Sequence, residues 1–231
     1  TKYEKIDIVS PQFSNDYVQY KDVYKFKDDI FKNASKNINL QDKIFSSFLD
    51  ESLIRKHITF LILKDLNQKS WNEWDNIYQE YSDDLFDKLF IENTELVNFH
   101  VLTQYEFFNQ WGSLKKYAND KNVKILGDIP IYVNHDSADV WLNKEMFELD
   151  ETGNMELVSG AVPDSFNTEG QIWGNALYRW DLHKEDNFKY WKEKLNKSLD
   201  LYDYLRIDHF IGFFKYWSIP KGESALNGYW R

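Results

Sequence analysis

Arg206 and Asp208 stand two residues apart in Tyr202-Asp-Tyr-Leu-Arg-Ile-Asp208, a short apolar-rich stretch that reads as a β-strand. Alternate residues of a strand project to one side, so the guanidinium and the carboxylate face the same way while Ile207 faces the other. A guanidinium beside a carboxylate favours its ionised form, which suits a nucleophile better than a proton donor. The same spacing also fits a structural Arg–Asp pair at a strand end, and spacing alone leaves both readings open. His209 follows directly and could donate to a polar ligand. A further acid, Asp128, comes after the apolar Ile125-Leu-Gly127, near the end of a second strand-like stretch.

A second constellation is Gly170-Gln-Ile-Trp-Gly-Asn175, with Asp164 and Phe166 before it and Tyr178 and Trp180 after it. Aromatic faces and short polar side chains on a Gly-rich backbone are what sugar rings need: the C–H face of a pyranose stacks on an indole while its hydroxyls pair with amides and carboxylates. A loop pinned down by buried Trp and Tyr has the same composition, and this alternative also stays open. Other chemistries find no support. His57, His100, His135, His183 and His209 lack metal-ligand spacing, and there is no Gly-x-Ser-x-Gly, phosphate-cradling loop or dinucleotide fingerprint. Without cysteine, disulfides and thiol chemistry are excluded.

The elements that must position these residues fall into two halves. Residues 17–35 have helical spacing, residues 41–66 form a second helical region punctuated by Asn67 and Ser70, and Ser70 is placed to cap a short helix carrying Trp71 and Trp74. A periodic stretch from Leu85 to Ala118 predicts one or two more helices ending near Asn119-Asp120. The second half opens with the strand of residues 123–133, whose paired part should end near Gly127-Asp128 because Pro130 cannot donate to a ladder. Residues 134–180 read as a long irregular connection, the kind that usually carries function. Helical periodicity returns from His183 to Leu201, before the strand with Arg206. This β/α alternation predicts a parallel sheet or a barrel, and in a (β/α)8 barrel active sites lie at the C-terminal strand ends.

The 231 residues carry 38 acids against 28 bases, and this net charge of -10 argues against nucleic acid or an anionic membrane as a partner. With 42% apolar residues the chain can offset its ordering entropy, so it should fold rather than stay disordered. No apolar run approaches the roughly 20 residues needed to cross a bilayer, and Thr1-Lys-Tyr-Glu-Lys5 does not begin a signal peptide.

Gly127-Asp-Ile-Pro-Ile-Tyr-Val133, His135-Asp-Ser-Ala-Asp-Val-Trp141, Gly170-Gln-Ile-Trp-Gly-Asn175 and Arg206-Ile-Asp-His-Phe210, in this order, resemble the amylomaltases, the 4-α-glucanotransferases of glycoside hydrolase family 77. The resemblance is dense from about Phe107 onward. It is looser upstream, where Lys69-Ser-Trp-Asn-Glu-Trp74 and Gln104-Tyr-x-Phe-Phe-x-Gln-Trp111 still fit.

The resemblance implies an α/β fold that is part of a (β/α)8 TIM-type barrel. Residues 1–120 would be a mainly helical inserted region, and residues 121–231 a barrel segment around strands three and four with a substrate-groove loop at 134–180. It assigns Asp208 as catalytic nucleophile and Arg206 as the residue that holds it. Substrate contacts fall to Asp128, Tyr132, Asp164, Phe166, Trp173, Asn175 and His209, and the general acid/base is not in this chain. The implied chemistry is retaining transfer of α-1,4-glucan segments between maltooligosaccharides, without metal or organic cofactor, in the cytoplasm. An α-glucan hydrolase and an inactive α-glucan-binding protein are the alternatives. On this reading the chain is an internal piece of a longer enzyme. It departs from the family at Ile211, where an arginine is usual, at Ala176, where a proline is usual, and at Ala161-Val-Pro163, which has one proline for a usual pair.

Overall fold

A computed structural model describes residues 8–231; the N-terminal stretch read above for a signal peptide lies outside the described residues. The chain divides into two compact units. One runs up to Asn67 and resumes at Tyr81–Gln110, and the other comprises Gln68–Glu80 and Trp111–Arg231.

The first unit is helical: α1 (Tyr20–Ser35), α2 (Lys43–Leu49), α3 (Ser52–Asn67), α4 (Asp83–Glu92) and the first part of α5 (Thr94–Asp120). The helical region at 41–66 is thus two helices, parted at Asp50 and Glu51, and the stretch from Leu85 is also two, parted at Asn93. Ile54, Ile58 and Ile62 recur every fourth residue on α3 and are buried with Leu85, Phe86 and Leu89 of α4. Ser82 caps α4 by accepting the Leu85 N–H, and Asp83 and Asp84 in the first turn suit the positive end of the helix dipole. Arg55 ties the two helices together, pairing with Asp87 at 3.1 Å while its guanidinium lies 4.5 Å over Phe86.

The second unit is mixed α/β. Strand β1 (Leu126–Ile129) pairs in parallel with β4 (Tyr204–Ile207), the parallel pairing that the β/α alternation predicts. β1 runs through Asp128 to Ile129 and stops one residue before Pro130, which stays out of the ladder. Its face alternates: Leu126 and Asp128 are open while Gly127 and Ile129 are buried. Gly127 has no room for a side chain, because a Cβ there would come within 2.3 Å of the Tyr202 ring. Helix α8 (Lys189–Leu201) packs against both strands.

The entry to β4 is held from α5. Lys115 Nζ donates to the carbonyls of Asp200 and Tyr202 at 3.0 and 3.1 Å, a cation at the negative end of α8, and Trp111 Nε1 donates to the Leu201 carbonyl at 2.8 Å. Asp203 accepts from Ile125 N and Asn119 Nδ2, both at 2.9 Å, which fixes the register in which Asp128 faces Arg206.

Residues 134–180 are not wholly irregular. They contain α6 (Ala138–Leu142), β2 (Leu157–Ala161) and β3 (Gln171–Ile172). β2 lies inside an antiparallel sheet of order β3-β2-β5-β6, with β5 at Trp217–Pro220 and β6 at Tyr229–Trp230. The helical run before β4 is interrupted too: α7 (Trp180–Glu185) and α8 are separated by Asn187 and Phe188, both with left-handed backbone.

Trp71 and Trp74 are both buried, but residues 71–73 form a single 3-10 turn. Ser70 makes no side-chain cap. Asp136 takes that place by accepting the Trp71 N–H at 3.3 Å, and Trp71 Nε1 donates to the His135 carbonyl at 2.7 Å.

Candidate functional site

Parallel pairing sets Asp128 directly beside Arg206 on the open face of the β1–β4 ribbon. Arg206 grips Asp128 with two parallel bonds, Nε to Oδ1 at 2.9 Å and Nη2 to Oδ2 at 2.8 Å. The same Nη2 reaches Asp208 Oδ1 at 3.0 Å. The guanidinium fork is therefore spent mainly on Asp128, and these bonds, with the charge of both carboxylates, raise the affinity of Arg206 for its proton. Asp208 lies just past β4, where its N–H donates to the Ile129 carbonyl at 2.9 Å and extends the ladder by one bond. Its second carboxylate oxygen has no hydrogen-bond partner among the described residues, and the side chain is 62% exposed.

Beside the charged trio stands an aromatic wall. His209 has left-handed backbone, and its ring meets the Trp173 ring edge-on, 4.9 Å between centroids at 87°. Tyr132 joins them at 6.0 Å from Trp173 and 6.3 Å from His209. Burial lowers the His209 pKa below the usual imidazole value, against the pull of the Asp208 charge, and its Nε2 is buried without a partner among the described residues. The Tyr132 phenol is pushed up by burial, so this ring is neutral, with an O–H to offer. Asn175 donates through Nδ2 to the Val133 carbonyl at 3.2 Å, which ties the loop of Trp173 to the segment of Tyr132.

Asp164 and Phe166 differ from the rest. Asp164 Oδ1 accepts from Phe166 N and Asn167 N at 2.8 and 2.7 Å, closing its own turn, and the Phe166 side chain is 98% exposed. Neither makes a hydrogen bond or ring contact with the Arg206 or Trp173 clusters among the described residues.

Tyr178, grouped by sequence with the Gly170–Asn175 constellation, and Ser159, which the sequence reading did not single out, support the site from behind. Tyr178 is buried, donates to the Ile131 carbonyl at 2.6 Å and stacks on Tyr132 at 6.2 Å and 17°. Ser159, on β2, meets the turn of Trp173 and Asn175. Nothing in the sequence marks Ser159, which lies in a stretch that reads as an irregular connection. Among the described residues no group of three or more His, Cys, Asp or Glu side chains is arranged to hold a metal ion.

A charged trio thus stands beside an aromatic wall, and the sequence match supplies the family. The model of glycoside hydrolase family 77, the 4-alpha-glucanotransferases, matches residues 3–231. The chain belongs to this family.

Among 4-alpha-glucanotransferases, the one from Clostridium butyricum is 41% identical over 223 residues, covering 94% of this chain and 46% of the relative. That of Aquifex aeolicus is 36% identical over 214 residues, covering 91% of this chain and 44% of the relative. The amylomaltase of Streptococcus agalactiae, solved in complex with acarbose, superposes with a TM-score of 0.83 at 36% identity, covering 93% of this chain and 45% of that one. The chain thus spans under half the length of these relatives. No helix among the described residues is long and apolar enough to cross a membrane.

Proposed function

We propose that the complete gene product carrying this chain transfers α-1,4-glucan segments between maltooligosaccharides, with Asp208 as nucleophile. One observation carries the assignment: Asp208 is held through a single oxygen by Arg206, while its other oxygen is exposed and unpaired among the described residues. That oxygen attacks the anomeric carbon of a bound glucan. The C1–O4 bond breaks, the leaving oligosaccharide takes a proton from a general acid, and a covalent glycosyl-enzyme forms. The 4-hydroxyl of an acceptor then gives up its proton, bonds to C1 and expels the carboxylate, with two inversions giving net retention.

Asp128 is poorly suited as the acid, because both its oxygens are on Arg206. As the family resemblance implies, the acid/base is assigned outside residues 1–231. Tyr132, Trp173 and His209 would wall the sugar subsite, Asn175 would pair with a hydroxyl, and Asp164 and Phe166 would contribute from their exposed turn. The acarbose complex of the S. agalactiae amylomaltase favours a saccharide in this groove. β1 and β4 would be neighbouring strands of a (β/α)8 barrel: their parallel pairing, a helix on one face and charged residues on the open face all fit that architecture. Residues 1–120 would then be the inserted helical region and 121–231 the barrel segment.

The test incubates the complete gene product with maltotriose, beside an Asp208→Asn variant. A ladder of longer oligomers plus glucose, lost in the variant, is expected. Shorter sugars alone would make the protein a hydrolase, and maltooligosaccharide binding without any product would make it a binding protein.

A further inference from the structure

We infer that Ser159 is a positioning residue that sets the sugar-binding amide of Asn175. The inference rests on the reading of the groove proposed above. Ser159 lies in β2, fully buried, and the turn of Trp173, Gly174 and Asn175 closes around it. Its carbonyl accepts from Trp173 N at 3.0 Å and Gly174 N at 3.2 Å, and its own N–H donates to the Asn175 carbonyl at 3.0 Å. These backbone bonds need no particular side chain.

The hydroxyl adds something that they do not. It accepts the Asn175 N–H at 3.2 Å and lies 3.4 Å from Asn175 Oδ1, to which it donates. On its other end the Asn175 amide donates through Nδ2 to the Val133 carbonyl at 3.2 Å. An amide tethered at both ends is restrained, the longer tether being the 3.4 Å one to Ser159. Of its two donors and two acceptor lone pairs, one N–H and one lone pair remain at defined positions for a sugar hydroxyl. Without the Ser159 hydroxyl the amide is held at Val133 alone and swings about that contact. Arg206 and Asp128 sit on other strands, with Asp208 just past β4, and all three keep their geometry.

The molecule supplies its own control. Ser218 lies opposite Ser159 in the β2–β5 ladder, is equally buried, and its hydroxyl has no partner among the described residues. Ser218→Ala removes the same group from the same sheet without touching Asn175.

The experiment measures maltotriose disproportionation by the complete gene product carrying Ser159→Ala, Ser218→Ala, Asn175→Ala, or Ser159→Ala with Asn175→Ala. Losing a neutral hydrogen bond corresponds to roughly a three- to tenfold rise in KM. Ser159→Ala should show that rise with kcat unchanged, because the interaction is uniform binding; general loss of structure would instead lower kcat through a smaller active fraction. Ser218→Ala should behave as the unsubstituted protein, and the double variant should have the KM of Asn175→Ala alone. If Ser159→Ala does not fold, the near-isosteric Ser159→Cys, a weak hydrogen bonder, carries the same expectation.

An unchanged KM in Ser159→Ala, an equal rise in Ser218→Ala, or multiplying effects in the double variant would each overturn the proposal. A silent Asn175→Ala would overturn it by removing Asn175 from the groove. No oligomer ladder from the unsubstituted protein would overturn the transfer reading itself, and this proposal with it.

Discussion

Replacing Tyr178 by Phe removes one oxygen from the least exposed part of the site. The phenol donates to the Ile131 carbonyl at 2.6 Å, and the two residues are 1% and 2% exposed, so water cannot take the hydroxyl's place. The ring stays, with its stack on Tyr132 and its contacts to Trp180 at 4.9 Å and Trp191 at 5.5 Å, so almost no cavity opens. The loss is then that of a buried acceptor left unpaired, about 1–3 kcal/mol, well short of the roughly 3–5 kcal/mol for deleting a whole buried aromatic. Urea denaturation of the complete gene product, followed by tryptophan fluorescence, should show a lower midpoint with an unchanged slope.

A second signature separates the hydroxyl from the ring. Burial raises the Tyr178 phenol pKa above its unfolded value, so the folded state holds this proton when the unfolded chain has lost it. Stability from this group is present at neutral pH and lost as pH rises above about 10. The Phe variant loses only the share of that alkaline slope that comes from Tyr178, because burial also raises Tyr132 and Tyr190. A loss under about 0.5 kcal/mol, with the alkaline slope as steep as in the unsubstituted protein, would refute the reasoning, because the Ile131 carbonyl would then be satisfied without Tyr178.

Gly153 has φ +76°, and a Cβ there would come within 2.6 Å of Trp71 Cη2. Gly153→Ala should therefore cost at least about 1–2 kcal/mol from the left-handed backbone alone, read as a lower unfolding midpoint. Asp203 has a carboxyl pKa held below the usual range by the Ile125 N–H and the Asn119 amide. Its contribution is present above the unfolded value of about 4 and lost as pH falls through the folded one, so Asp203→Asn should flatten the acid limb of the stability profile; equal acid limbs would remove Asp203 from the account.

What the chain revealed unaided was mostly local. That Arg206 and Asp208 face one way follows from strand alternation, and the placement of Pro130 just outside β1 follows from its missing N–H. The helices of the first unit follow from apolar spacing, but their breaks at Asp50 and Asn93 do not interrupt that spacing enough to be read. The pairing of Arg206 with Asp128 needs the register of two strands far apart in the chain, which periodicity does not encode. β2 went unseen for the same reason, since its ladder partner β5 lies beyond β4. Asp164 was grouped with the groove by its motif, yet a carboxylate two residues before a free N–H closes an Asx turn first. Tyr178 groups with the constellation for its aromatic ring, and Ser159 is ordinary in sequence; only burial with defined partners makes their hydroxyls matter.

The division of Arg206 between two acids bears on why Asp208 can act as the nucleophile proposed for it. A guanidinium fork set squarely on a carboxylate engages both oxygens, and a nucleophile gripped in that way must break a charge-assisted bond before it can attack. Here the fork is aligned with Asp128, its neighbour across the ladder, and Asp208 receives one bond to one oxygen. The shared cation holds Asp208 in place, two carboxylates on one guanidinium leave the trio with a net negative charge, and the second Asp208 oxygen stays available. In this geometry Asp128 occupies the fork of Arg206. The position of the guanidinium is set by the register of β1 against β4, which brings Asp128 opposite Arg206.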